Sequence, residues 1–113
     1  MKNQKHTPPP LRDAATIILV REKNKALEVY LLKRSDASTF MGGLYVFPGG
    51  VLEADDRRID TWTSQIDMTM DEIGTRLGGN RFSREEALGF GVAAIRETLE
   101  EAGVLIASGQ AKT

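Results

Sequence analysis

Hydrophobic positions fall into short blocks early in the chain, thin out in the middle, and return in one long periodic run. Ala14 to Val20 (AATIILV) is apolar except for Thr16 and rich in β-branched residues, which predicts a strand buried on both faces. Arg21 to Ala26 (REKNKA) is a charged turn, and Leu27 to Lys33 (LEVYLLK) resumes as a second strand, so these blocks predict an antiparallel pair. Arg34 to Thr39 is a polar connection, Phe40-Met41-Gly42-Gly43 a bend, and Leu44 to Phe47 (LYVF) a third short strand. Pro48-Gly49-Gly50 stops that strand, because proline has no N–H for a ladder and glycines permit positive φ or close backbone approach. A tight, exposed loop is predicted there.

Residues 51 to 60 (VLEADDRRID) are acidic and then basic. Weak helical spacing follows in Trp62, Ile66, Met70, Ile73 and Leu77, closed by Gly78-Gly79-Asn80, and predicts a short helix within residues 61–82. Ser83, with Glu86 three residues on, forms the pattern of a capping box, and Gly103 supplies a left-handed stop. A helix from Arg84 to Ala102 is predicted between them. At about 100° per residue, Leu88, Val92, Ile95, Leu99 and Ala102 share one arc of it, and Glu97, Glu100 and Glu101 share the opposite one. Gly89 and Gly91 each cost this helix about 1 kcal/mol against alanine, which is understandable where another backbone, the Pro48 to Gly50 loop, comes close. Val104 to Ala107 (VLIA) predicts a further strand.

Length bounds the rest: 113 residues make one small domain with a single core. MKNQKHTPPP at the start is polar and ends in prolines, so residues 1–11 are expected to be a disordered tail that lacks the apolar core of a signal peptide. With 15 basic and 16 acidic residues, charge gives no reason to expect nucleic acid or a membrane as partner. No cysteine is present, which removes disulfides and thiol chemistry. The expected location by default is the cytoplasm.

The candidate chemistry lies in Arg96 to Val104 (RETLEEAGV). Three carboxylates side by side on a helix repel one another, and a hard divalent ion that prefers oxygen ligands would relieve the repulsion. Taken alone, a Glu-rich helix face is ordinarily solvated surface, and a Gly-Gly turn is ordinarily only a turn. Together they would place a backbone carbonyl beside a carboxylate cluster, giving a cation oxygen ligands alone. His6, the only histidine, lies in the tail; Trp62, Phe82 and Phe90 suit packing better than stacking on a base. An acidic calcium-binding helix is a third reading that no EF-hand spacing supports.

Phe47-Pro48-Gly49-Gly50, an acid six positions after Gly50, and Arg96-Glu97-Thr98-Leu99-Glu100-Glu101-Ala102-Gly103-Val104 together resemble the Nudix box, Gly-x5-Glu-x7-Arg-Glu-U-x-Glu-Glu-x-Gly-U with U aliphatic. Thr98 stands where an aliphatic residue is usual. Asp56 takes the place of the first glutamate, with Glu53 as a rival acid, and the step from Asp56 to Arg96 is 40 residues, so an insertion of 32 residues splits the box. The inserted segment is taken as about residues 57–82. Leu31 to Ser35, Phe40 to Gly43 and Val46 to Arg57 resemble the branch typified by peroxisomal coenzyme A diphosphatases and their bacterial relatives.

The resemblance covers residues 12–107 and implies an α/β fold, the Nudix α/β/α sandwich with a mixed sheet. The chain stops soon after Gly103, so an N-terminal portion with an incomplete sheet is expected, and open strand edges invite pairing, a homodimer included. It further implies Mg2+ or Mn2+ on Glu97, Glu100 and Glu101, with the Gly50 carbonyl as a further ligand. Glu97 is a candidate catalytic base, and Arg96 holds a carboxylate in place. Arg34, with Lys33 and Ser35 beside it, lies in a segment resembling the coenzyme A recognition motif, and Gly49 and Gly50 would approach substrate. The implied activity is metal-dependent cleavage of a nucleoside diphosphate linked to another group, coenzyme A being the first candidate. ADP-ribose, NADH and dinucleoside polyphosphates are alternatives, as is a binding module or inactive fragment that keeps the box without turnover.

Overall fold

The computed structural model describes residues 11–34 and 43–108. The tail with His6, most of the Arg34 to Gly43 connection with Ser35, and the last five residues lie outside the described residues. The chain is mixed α/β: strands β1 (Ala14–Thr16), β2 (Val20–Lys23), β3 (Ala26–Val29), β4 (Leu32–Lys33), β5 (Tyr45–Val46) and β6 (Gly49–Val51) precede the helical part. A 3-10 turn at Ala54–Arg57 leads to α1 (Ile59–Trp62), a second 3-10 turn at Thr63–Gln65, α2 (Met70–Arg76) and α3 (Arg84–Ala102).

Each long apolar block expected to be one strand is two short ones, because it changes partner midway. β1 pairs antiparallel with β6, Ala15 opposite Gly50, and this pairing runs on to Ile17 N–H, which donates to the Pro48 carbonyl at 2.9 Å. Leu19 takes a different partner and accepts from Tyr30 N–H at 3.0 Å, at the start of the β2–β3 hairpin. That hairpin turns on Asn24 and Lys25, both at positive φ (52° and 64°), as a two-residue primed turn requires. The charged residues 21–23, expected in the turn, therefore belong to β2, where Arg21 and Glu28 pair across the ladder at 2.6 Å. β4 pairs with β5. Among the described residues these pairs stay separate and antiparallel, so no mixed sheet is formed by them.

Three further expectations are corrected. The first apolar block is not buried on both faces: Ile18 is 57% and Val20 55% exposed, since no second layer of described residues covers them. Pro48-Gly49-Gly50 is not a free loop, because Gly49 and Gly50 form β6. Neither glycine has positive φ; a Cβ on Gly49 would overlap the Ala15 carbonyl oxygen, so close approach across the ladder is what excludes a side chain. Val104 to Ala107 forms no strand, having no partner to pair with among the described residues.

α3 matches its predicted bounds. Ser83 Oγ accepts from Glu86 N–H at 3.1 Å at one end, and Gly103 ends the helix at φ 71°. The helix lies between two small cores. On one side Ala87, Leu88 and Val92 meet Ile73 of α2, with Ile59, Trp62, Ile66 and Met70 packed around them, so the inserted segment's apolar spacing is used. On the other, Ala93 meets Ala15 and Leu52, with Phe90 and Ala94 alongside. The apolar arc read from the sequence is thus only half covered: Ile95 is 37% and Leu99 45% exposed. Gly89 is explained by residues 52–57 rather than by β6, since an added Cβ would stand 2.8 Å from Arg57 Cγ and 3.0 Å from Leu52 Cδ2. No helix among the described residues is long and apolar enough to cross a membrane.

Candidate functional site

The antiparallel register decides which backbone groups of β6 are available. Ile17 with Pro48 and Asp13 with Leu52 are hydrogen-bonded positions, and the alternation makes Ala15 and Gly50 one as well. The Gly50 carbonyl is therefore engaged by the ladder. Gly49 and Val51 occupy the intervening positions, whose N–H and C=O groups point off the ladder, and α3 uses them. Gly49 N–H donates to Glu101 Oε1 at 3.2 Å, and the Val51 carbonyl accepts from Arg96 Nη2 at 3.1 Å.

Gly50 faces α3 from the same strand. A Cβ built there would fall on the Glu97 carboxylate, so the glycine is what lets that carboxylate reach the strand. Glu97 also contacts Glu101. Burial pushes the Glu101 carboxyl above its ordinary value; the Gly49 N–H opposes this, the hydrogen bond and charge of Glu97 add to it, and the charge of Arg34 opposes it. Arg34 is anchored by its backbone, its N–H donating to Leu44 at 2.8 Å and its carbonyl accepting from Gly43 at 3.1 Å.

Arg96 is the hub of the second half of the site. Its Nε donates to Asp56 Oδ1 at 3.0 Å and its Nη2 to Asp56 Oδ2 at 2.9 Å, a two-pronged pair. Nη1 donates to Glu97 Oε1 at 3.0 Å and Glu100 Oε2 at 3.3 Å, and lies 3.5 Å from Glu53 Oε1. With the Val51 bond, all five guanidinium donors are engaged by the protein. None is left for a substrate phosphate.

Asp56, only 1% exposed, ends the 3-10 turn's first step and also accepts from Glu53 N–H at 2.8 Å. Burial alone would raise its carboxyl, but the Arg96 hydrogen bonds, the Glu53 N–H and the charges of Arg96 and Arg57 outweigh it and hold the group below its ordinary value. The Asp56 hydrogen bond first, then the Glu97 bond and the charges of Asp56 and Glu53, raise the Arg96 guanidinium against an opposing desolvation. Between the two candidate acids, Asp56 is the buried partner of Arg96 and Glu53 the exposed one.

The described residues implied as the metal, catalytic and substrate site are thus brought to one region: Arg34, Gly49, Gly50, Glu97 and Glu101 along β6, and Glu53, Asp56, Arg96 and Glu100 around the guanidinium. The aromatic candidates go elsewhere. Trp62 donates to the Asp55 carbonyl at 2.7 Å and packs against the core, while Phe82 and Phe90 pack on each other with ring centres 5.1 Å apart. The sequence did not reveal the Gly49 N–H and the Val51 carbonyl, because backbone groups become visible only through strand register.

A family model described as the NUDT19 Nudix domain matches residues 11–113. The chain belongs to this Nudix family. Among curated Nudix relatives it is similar to the acyl-coenzyme A diphosphatase NUDT19 of Homo sapiens, 33% identical over 102 residues, covering 73% of this chain and 27% of that protein. The Xenopus laevis acyl-coenzyme A diphosphatase NUDT19 is 29% identical over 102 residues, covering 70% of this chain and 25% of the relative. The chain thus spans about a quarter of the length of these relatives. No solved structure matches.

Within this Nudix domain, Glu97, Glu100 and Glu101 offer oxygen donors alone, which suits Mg2+ or Mn2+. Two observations favour a cation there. Burial first, and then the hydrogen bond and charge of Glu97, raise the Glu101 carboxyl, and the missing Cβ at Gly50 leaves the Glu97 carboxylate against the strand. Among the described residues, however, no three acidic side chains are arranged around one point as a ready ion cage. The reason is visible: Glu97 and Glu100 are turned onto Arg96 Nη1.

Proposed function

We propose that this chain carries the hydrolytic centre of a metal-dependent diphosphatase acting on coenzyme A or a closely related nucleoside diphosphate derivative. The observation that carries this reading is the meeting of Glu97 and Glu101 on the Gly49–Gly50 strand, with Arg96 locked behind them by Asp56. Glu97, Glu100 and Glu101 would hold the ion. Of the two glycine carbonyls, that of Gly49 is the better further ligand, because the ladder engages that of Gly50. The ion would neutralise the diphosphate, polarise the attacked phosphorus and acidify a bound water.

The remaining work falls to the chain. Gly49 and Gly50, without side chains, let the diphosphate approach the acids. Arg34, whose charge is felt at Glu101, would meet a substrate anion on that side. Glu97 is the candidate to take the proton of the attacking water as its oxygen bonds to phosphorus. The bridging P–O bond breaks with its electron pair leaving on the bridging oxygen, and two phosphate monoesters result. Arg96 does not touch the substrate; it fixes the carboxylates around it. Membership of the family supports completion of the sheet into an α/β/α sandwich, with residues 57–82 as an insertion covering α3. The coenzyme A preference rests on the acyl-coenzyme A diphosphatases among the relatives.

The test is a product-release assay on coenzyme A, ADP-ribose and NADH, with and without Mg2+, using the chain alone and within any longer protein that carries it. Mg2+-dependent cleavage, greatest for coenzyme A, is expected. Cleavage of none of the three under any condition would overturn the enzymatic reading, and a preference for ADP-ribose or NADH would overturn the substrate.

A further inference from the structure

One guanidinium nitrogen, Arg96 Nη1, stands 3.0 Å from Glu97, 3.3 Å from Glu100 and 3.5 Å from Glu53. This is a single positive group gathering three carboxylates, two of which are the oxygens the ion is proposed to take. The opposite edge of the same guanidinium is held by a different acid: Asp56, 1% exposed, which grips Nε and Nη2, with the Val51 carbonyl as a third anchor. Glu97 and Glu100 each meet the guanidinium through Nη1 alone, and Glu100 is the weaker-held of the two. Glu100 is 58% exposed in its side chain and reaches Arg96 from one helical turn away, whereas Asp56 is fixed by the Glu53 N–H as well.

We propose that Arg96 is an internal counter-cation for Glu97 and Glu100 in the metal-free protein, exchanged for the divalent ion when it binds, and that Asp56 is the positioning residue that makes the exchange work. A lone pair directed at an N–H is not available to an ion, so Glu97 and Glu100 must turn from Nη1 to coordinate. Arg96 stays in place when they do, because two of its three nitrogens remain on Asp56 and Val51. The buried Asp56 charge also neutralises the guanidinium that would otherwise repel a divalent ion nearby. This role rests on the proposed location of the ion and adds to it the device that sets the ion's affinity.

The test reads Mn2+ affinity from the free-ion electron paramagnetic resonance signal, without substrate. Arg96→Gln removes the competitor and is expected to bind Mn2+ about five- to tenfold more tightly than the unaltered chain. Asp56→Asn leaves Arg96 charged and unneutralised beside the acids, and is expected to bind about fivefold more weakly. The double variant is expected to return to the affinity of Arg96→Gln alone. General structural damage would instead add the two losses. A companion measurement needs no variant: on addition of Mg2+, the Arg96 Nε–H resonance should keep its slow solvent exchange while the Nη1 protons exchange faster. Equal or weaker Mn2+ binding by Arg96→Gln, a double variant as weak as Asp56→Asn, or loss of the protected Nε–H on Mg2+ addition overturns the counter-cation while leaving the ion's location standing. No Mn2+ binding by the unaltered chain overturns both.

Discussion

Asp56→Ala removes the acceptor of three donors at once: Arg96 Nε at 3.0 Å, Arg96 Nη2 at 2.9 Å and the Glu53 N–H at 2.8 Å. Asp56 is 1% exposed, so water does not replace it without opening the turn. Breaking one partner of a buried ion pair costs about 3–5 kcal/mol. Arg96 keeps Val51, Glu97 and Glu100 on its other donors, which puts the expected loss at the lower end, about 3 kcal/mol. Asp56→Asn keeps the shape and part of the bonding and should lose about 2 kcal/mol. Both losses are large against the roughly 5–15 kcal/mol that a domain of ordinary stability has.

Urea unfolding followed by Trp62 fluorescence reads this directly, since Trp62 is the only tryptophan and its indole N–H bonds the carbonyl of Asp55. The pH dependence has a definite sign. The folded carboxyl of Asp56 lies below its unfolded value, so its contribution is complete above about pH 4 and is lost as the pH falls through the folded value. The gap between the unaltered chain and Asp56→Asn should be flat from neutrality down to about pH 5 and narrow below about pH 4. A loss under about 1 kcal/mol, the size of an exposed ion pair, or a gap that does not narrow in acid, would refute the assignment of Asp56 as the buried anchor.

Other substitutions separate the glycines by function. Gly50→Ala places a methyl on the Glu97 carboxylate, and turnover should fall about tenfold or more while the melting temperature changes little; unchanged turnover would remove Glu97 from the site. Gly89→Ala meets Arg57 Cγ at 2.8 Å and Leu52 Cδ2 at 3.0 Å, so it should destabilise by about 1 kcal/mol despite its better helix propensity. Gly91→Ala meets only the tip of Leu77 at 3.3 Å and should be neutral or stabilise by up to about 1 kcal/mol, as chemical denaturation would show. Thr98, fully buried, satisfies its hydroxyl on the Ala94 carbonyl at 2.7 Å, and Thr98→Val should change stability by less than about 1 kcal/mol in the same measurement.

The parts of this fold set by local chemistry were legible in the sequence. Ser83 and Gly103 bracket α3 because a cap hydroxyl and a left-handed glycine act on their own neighbours. In the spacing of Trp62, Ile66, Met70, Ile73 and Leu77 the first four do pack and Leu77 is 37% exposed, and the segment is broken into α1, a 3-10 turn and α2 rather than one helix. Pairing was less legible. Apolarity from Ala14 to Val20 says that the segment is extended but not that its partner changes after Ile17, and nothing local distinguishes a glycine turn from the glycine strand β6. Glu97, Glu100 and Glu101 stand out by type and spacing, and Asp56 and the role of Arg96 by resemblance to the Nudix box. Their actual arrangement depends on Asp56, 40 residues upstream, which no local rule connects to Arg96.

The most direct test of the central claim is Mg2+-dependent coenzyme A turnover by the chain, alone and within any longer protein that carries it, compared with its Glu101→Gln variant. Glu101 bonds the Gly49 N–H and touches Glu97, so the substitution changes the proposed ion site while the fold, held by residues further up α3, remains. Cleavage that requires Mg2+, and falls by at least about a hundredfold in Glu101→Gln with an unchanged unfolding transition, is the expected result. Cleavage that proceeds without the ion, or at the same rate in Glu101→Gln, would contradict the account.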